Sequence, residues 1–388
     1  MHIRSVRYYL LKSGGWIAPV LCCLFCQCVQ NYVSPYKSPP TGYLVVEGYL
    51  SANTPTQYTL TRTIGLPGDS AIPVVTGASV QVEGSDSSVY TLPEQGNGIY
   101  GNTTLPINPA IQYRLRIHTG NGESYLSDFV PVKPCPPIDS VNWVFSQNNG
   151  VNIYVNTHDP NNATRYYRWT YEQTWQYIMP QVSFFFYDPD SNVVLPRQPD
   201  QLVNRCWMNS ASTSVMLGNT SKLSQDVVYA YPLVNIPNGA QQLGSLYTIQ
   251  VTQYTLTADA YNFLTLILAN TESLGSIFDI QPTEVTGNIH CLNNPAEQVI
   301  GYISAGTVQQ QRIWIAESQL PYWDYYINCL KPSKIIANVP DSLEYYFLNG
   351  GLTPISATPA GDWYSNQTLC VDCTSLGGSN QKPSFWPN

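Results

Sequence analysis

From residue 43 onward, apolar and polar side chains alternate over runs of four to eight residues, and turn-forming residues separate the runs. A period of two is the mark of strands with one face buried. In Tyr113–His118, Tyr113, Leu115 and Ile117 fall on one face and Arg114 and Arg116 on the other. Tyr43–Leu50, Gln57–Thr63, Ala78–Glu83, Ser88–Leu92 and Ser124–Val130 read the same way, with Asn97-Gly98 and Asn121-Gly122 as turns between runs. Six or seven short strands in about 90 residues predict an immunoglobulin-like β-sandwich over 43–133. Three prolines around Cys135 mark its end.

The remainder, 134–388, predicts a larger β-rich domain with one main helix. Ile138–Trp143 opens it. Arg165–Tyr171 places Tyr167, Trp169 and Tyr171 on one face, and Ser245–Tyr254 reads as one long strand. Val182–Tyr187 and Asn192–Leu195 flank Asp188-Pro189-Asp190-Ser191. That segment has the first oxygen positions of a calcium loop, but Val193 stands where the loop needs glycine and Pro199 where it needs glutamate. A hairpin turn is the expectation. The helix begins at Thr257, whose hydroxyl can cap it. Tyr261, Leu264 and Leu268 recur at helical spacing, and Gly275 stops it. The fold class is therefore mostly β.

The first 28 residues follow another pattern. Arg4, Arg7 and Lys12 precede a short apolar run, Trp16–Cys26, broken only by Pro19. The run is too short to span a bilayer and has the layout of a secretory signal. Cys28 closes it, so residues 1–27 are expected to be removed and Cys28 lipidated, with 28–42 as a proline-containing tether. Phe25-Cys26-Gln27-Cys28 departs from the usual lipobox, and Cys26 is the competing site. Cleavage takes three of 17 basic residues and none of 25 acids, moving the net charge from −8 to about −11. Nucleic acid and anionic lipid surfaces, which need a basic patch, are excluded as partners.

Charged residues make up only 11% of the chain, and 29 tyrosines with many amide and hydroxyl side chains supply the polarity. Six cysteines lie beyond Cys28: Cys135, Cys206, Cys291, Cys329, Cys370 and Cys373. In an oxidising compartment they allow three disulfides of open connectivity. Cys370-x-x-Cys373 has neither a second such pair nor nearby histidines to make a zinc site, and staples the C-terminal tail instead. His118, His158 and His290 are scattered, and Gly68-Asp69-Ser70 lacks the strand–turn–helix setting of a nucleophile. No metal, no cofactor and no catalytic set are predicted.

Several segments together are identified as those of a family. Cys28-Val-Gln-Asn-Tyr followed by Tyr43-Leu-Val-Val-Glu-Gly-Tyr resembles the start of the DUF4249 lipoproteins of the Bacteroidetes. So do Pro137-Ile-Asp-Ser-Val, Gln253-Tyr-Thr-Leu-Thr, Gly275-Ser-Ile-Phe-Asp279, Gly287-Asn-Ile289, Val299-Ile-Gly-Tyr-Ile303, Cys370-Val-Asp-Cys373 and Phe385-Trp386. The resemblance implies a lipid-anchored outer-membrane protein, with the periplasmic face marginally preferred, that accompanies a TonB-dependent receptor. It implies no activity.

Aromatic clusters are the remaining functional hint. Tyr167, Trp169, Tyr171 and Trp175, and Trp323 with its neighbours Tyr322, Tyr325 and Tyr326, suit stacking on sugars or packing on a protein partner. A strand core is the more common place for such residues, since alternate positions must fill it. Three readings follow: a non-enzymatic binding or accessory component of an uptake system, a carbohydrate- or peptide-processing enzyme with an unrecognised carboxylate pair, and a structural or adhesion module.

Overall fold

In the computed structural model, residues 42–64, 71–272, 285–323, 325, 327–339 and 341–387 are described. Cys26, Cys28, the tether up to residue 41, Gly68–Ser70, Gly275–Asp279 and Tyr326 lie outside them. The chain is mostly β, with one main helix among the described residues, Ala258–Glu272.

The first sandwich has two leaves. One carries Leu44–Ser51, Thr56–Arg62, Ile99–Thr103 and Glu94–Gly96. The other carries Ser79–Gly84, Val89–Leu92, Gln112–His118 and Ser124–Ser127. Tyr58, Leu60, Val82, Tyr100, Leu115 and Ile117 are buried between them. Arg114 and Arg116 turn outward and both bond Glu83 on the neighbouring strand, at 2.7 and 2.5 Å. The alternation predicted for this strand is what separates the two sets.

A cut at residue 133 does not free this sandwich. Ile289–Cys291 pairs with Ser124–Ser127, and Val299–Ile300 and Ala305–Gly306 run parallel to the two ends of Leu44–Ser51. Ala305–Gly306 also bridges to Val130–Lys133 and joins the leaves. Ile289, Val299, Ile303 and Ala305 belong to the same core. The predicted division into 43–133 and 134–388 is corrected accordingly, and Tyr43–Asn388 forms one compact unit.

A second sandwich stacks the sheet Ile138–Ser146, Gly150–Asp159, Asp226–Ile236 on a larger one. The latter runs in the order Arg205–Ala211, Tyr166–Ile178, Leu246–Thr255, Val308–Ala316, with Met216–Asn219 also on Tyr166–Ile178. Their facing residues form the second core. Gln253 stands at its edge, fully buried. Its side chain accepts from Trp169 Nε1 at 2.8 Å and donates to Pro136 O at 2.9 Å and Thr157 Oγ1 at 3.1 Å. The linker between the sandwiches is thereby tied to the core of the second. A third region joins the hairpin Phe185–Asp188/Val193–Pro196 to the sheet Ser333–Ile335, Trp363–Gln367, Leu352–Ala357. Phe185 packs on Trp363 and Tyr187 on Phe347. The Asp188–Asn192 segment is a hairpin turn, with Asn192 at φ 54°.

The six cysteines form two disulfides, Cys206–Cys373 and Cys329–Cys370, while Cys135 and Cys291 are free and buried. The expectation of three bonds is corrected. Cys135 sits against Gln253 and Cys291 in the core of the first sandwich, so neither faces another thiol. The two cysteines of Cys370-x-x-Cys373 go to different partners, which fastens the tail at two places.

Candidate functional site

The long strand Tyr166–Ile178 decides where chemistry can sit. Its odd-numbered side chains Tyr167, Trp169, Trp175 and Tyr177 enter the second core, and Tyr171 is half-buried against it. Tyr167 donates its hydroxyl to Asp226, and burial, then that carboxylate, pushes its pKa well up. Trp175 Nε1 donates to Gln241 and Trp323 Nε1 to Ala240 O at 2.8 Å, both rings buried. Tyr167, Trp169, Trp175 and Trp323 thus cannot stack on a ligand, and Tyr171 is committed to packing. Strand alternation with a sheet on one side explains the outcome: the aromatic face is the core face.

The opposite face carries Tyr166, Arg168 and Thr170. Tyr166 packs on Tyr261 of the helix, which Thr257 caps by accepting from Ala260 N–H. Arg168 lies in register with Leu217 on one side and Tyr254 on the other, and Tyr254 with Val308. This row meets the strand Leu44–Ser51 of the first sandwich, where the Tyr49 ring packs edge-on against Tyr254 and its hydroxyl donates to Thr255 O. Burial, then its neighbours Cys135 and Tyr254, raise the Tyr49 pKa well above its ordinary value, so the hydroxyl stays neutral.

Between the row and the strand runs a groove of two connected cavities. The polar one, about 380 Å³, is lined by Ser51, Thr54, Gln57, Thr59 and Tyr254 among others. The apolar one, about 240 Å³, lies under the helix and takes in Val45, Phe263, Leu264, Ile267 and Tyr302. Glu47, Gly48 and Arg168 line both. Arg168 forms no ion pair among the described residues, and its Nε is buried with no hydrogen-bond partner. Its guanidinium carbon lies 5.7 Å from the centroid of the Tyr254 ring. The guanidinium, a rigid fork of donors, thus stands partly buried where the two cavities share their lining.

The three described histidines each bond a different neighbour. His118 bonds Ser124, His158 bonds Asp139 and His290 bonds Asp128, all exposed. No group of three or more metal-ligating side chains occurs among the described residues. No described helix is long and apolar enough to cross a membrane. Arg168 and Glu47 drew no attention in the sequence, because an unpaired charge is visible only once its neighbours are placed.

The family model described as "Domain of unknown function (DUF4249)" matches residues 30–312. The chain belongs to this family. The matched segment contains the groove and the hairpin Phe185–Pro196 and ends inside the strand Val308–Ala316, so only the sheet Ser333–Ile335, Trp363–Gln367, Leu352–Ala357 of the third region lies beyond it. No curated protein matches the chain. Among solved structures it is similar to the FN1–FN3 domains of chicken CNTN1, at 12% identity over 55% of this chain and 59% of that one, with a TM-score of 0.16. It is also similar to chitinase ChiA74 from Bacillus thuringiensis, at 14% identity over 52% and 30%, with a TM-score of 0.15. The chain spans less than two thirds of either structure, and overlaps this slight carry no inference about fold or activity.

Proposed function

We propose that this DUF4249 protein is a non-enzymatic cell-envelope lipoprotein, anchored through Cys28 to the outer membrane. There it serves as a binding component beside a TonB-dependent receptor. The supporting observation is the surface of the third region. Residues 182–196 and 330–376 carry about half of the exposed large hydrophobic side chains among the described residues, including Phe184, Ile336, Tyr345, Leu348, Tyr364 and Leu369. Exposed apolar side chains gathered in one region mark a surface for a protein or a membrane. The acidic balance of the chain disfavours an anionic lipid surface, which leaves a protein. Aromatic rings with polar tips are the residue type such interfaces favour.

The test is affinity capture from detergent-solubilised outer membranes. Wild type is expected to recover a TonB-dependent receptor. A Tyr345→Ser/Leu348→Ser variant with unchanged melting temperature is expected to lose it. Capture of no receptor, or a Cys28→Ala protein that fractionates with membranes as wild type does, refutes the proposal.

A further inference from the structure

We propose that the cavity between the strand Arg205–Ala211, the C-terminal tail and the segment 182–184 binds a short neutral saccharide. The receptor partnership above does not enter into the argument.

The walls come from three places in the chain. Cys206 enters the second core and bonds Cys373, which leaves Arg205 and Trp207 on the other face of their strand. Ser379 and Trp207 exchange both backbone hydrogen bonds, at 2.8 and 3.0 Å. That bridge is antiparallel, so Asn380 and Gln381 run back toward Arg205, and Asn380 Nδ2 donates to Leu202 O at 3.4 Å. On the third side, Ser183 is buried and bonded to Pro354 O, and Gln181 N–H donates to Cys370 O. The next side chain, Phe184, is turned out and 56% exposed. With the turn at Asp200 these walls bound about 480 Å³, a volume ordinary for a small-molecule site. A disulfide and backbone bonds hold them, so little ordering is left for a ligand to impose.

The lining sets an apolar ring beside polar groups of every kind. Arg205 supplies donors only, Asp200 acceptors only, and the amides of Asn204, Asn380 and Gln381 supply both. Arg205 and Asp200 are exposed, and neither forms an ion pair with any described residue. The side chains of Arg205, Asp200 and Asn204 make no hydrogen bond among the described residues, so all three stand free to meet a ligand. A single exposed charge is ordinary surface. Their convergence with an exposed phenylalanine on one concave wall is what points to a ligand.

A sugar ring has C–H groups on its faces, and at its rim hydroxyls that each donate and accept. It matches this lining part for part: its face on Phe184, its rim on the polar side chains. An anion would meet the Asp200 carboxylate as well as Arg205. An amino-acid zwitterion would rely on two ion pairs made in water, where such pairs contribute little. A fatty acid would leave Asp200 and the amides covered without partners.

The full chain is titrated by calorimetry with maltotriose, cellotriose, mannotriose and diacetylchitobiose, and with trialanine, pyrophosphate and dodecanoate. At least one saccharide is expected to bind with a Kd below about 1 mM. Its affinity should be the same in about 50 and about 500 mM sodium chloride, because the ligand carries no charge to be screened. Phe184→Ala and Asp200→Ala are each expected to weaken binding by about tenfold. Both positions are exposed, so the melting temperatures should match that of wild type. The Tyr345→Ser/Leu348→Ser variant changes no residue lining the cavity and should bind as wild type does. The proposal is overturned if no saccharide binds, if trialanine, pyrophosphate or dodecanoate binds in their place, or if either single substitution leaves the affinity as it was. Receptor capture is a separate measurement, so failure of one reading is distinguishable from failure of the other.

Discussion

Replacing Gln253 by leucine is expected to destabilise the protein by about 3–5 kcal/mol, although the change preserves size and adds apolar surface. The magnitude comes from what is left behind. Trp169 Nε1 loses its acceptor, and Pro136 O and Thr157 Oγ1 lose a donor, at a site where Gln253, Trp169 and Thr157 are all fully buried. Each buried polar group left unpaired costs about 1–3 kcal/mol, and the transfer gain of leucine offsets only part of that. Urea unfolding followed by circular dichroism measures the loss. A double-mutant cycle with Trp169→Phe, which removes the same hydrogen bond from the other end, should return a coupling of about 1–2 kcal/mol. The Cys135 thiol gives an independent readout. It is buried, its pKa is raised by burial, and it contacts Gln253. Its alkylation, followed by mass spectrometry, should be negligible in the native wild type and measurable in Gln253→Leu, where the linker opens more readily. A loss below about 1 kcal/mol, or additivity in the cycle, would refute the view that this side chain holds linker and core together.

Gly48→Ala should cost about 2–3 kcal/mol in thermal melts, because the new Cβ would lie 2.3 Å from the Tyr58 ring and 2.5 Å from Gln57 O. Cys206→Ser should cost about 3–5 kcal/mol, since the bond to Cys373 closes a separation of 167 residues, and should make the tail the first site of limited proteolysis. Glu83 is held below its ordinary 4.5, chiefly by the hydrogen bond from Arg116, with burial opposing and Arg114 adding to the effect. A depressed carboxylate contributes stability that is complete above its unfolded value and lost as pH falls through the folded one. Acid unfolding should therefore steepen below pH 4.5, and Glu83→Gln should flatten that limb while lowering stability at neutral pH.

Legibility in the sequence followed the range of the interactions. Tyr113, Leu115 and Ile117 against Arg114 and Arg116 could be read directly, because alternation is local and one face is buried. The Thr257 cap and the long strand Leu246–Thr255 were legible for the same reason. The face shared by Tyr167, Trp169 and Tyr171 was legible as well, but whether such a face meets core or ligand depends on the sheet laid over it. Val299–Ile300 and Ala305–Gly306 are two residues each, too short for any period to show, so the return of the chain to the first sandwich left no local trace. Cysteine partners were equally hidden. Cys135 is as good a thiol on paper as Cys206, and only its place against Gln253 separates them.

That return explains why a groove exists at all. The chain passes between the sandwiches at Pro134–Pro137 and again at Thr307, and the two crossings are bonded to each other. Cys135 N–H donates to Thr307 Oγ1 at 2.7 Å, and Thr307 N–H to Lys133 O at 2.9 Å. Asn53 clamps the next residue, donating to Val308 O at 2.9 Å and accepting from Val308 N–H at 2.8 Å. Two adjacent crossings and a clamp fix the separation of Leu44–Ser51 from the Arg168 row. The parallel partner of that strand keeps one register from Val299 to Gly306, so residues 301–304 run beside Val46–Tyr49 although only the two ends form a ladder. The lapse of regular pairing over these four residues is what leaves Val299–Ile300 and Ala305–Gly306 too short to be read from the sequence.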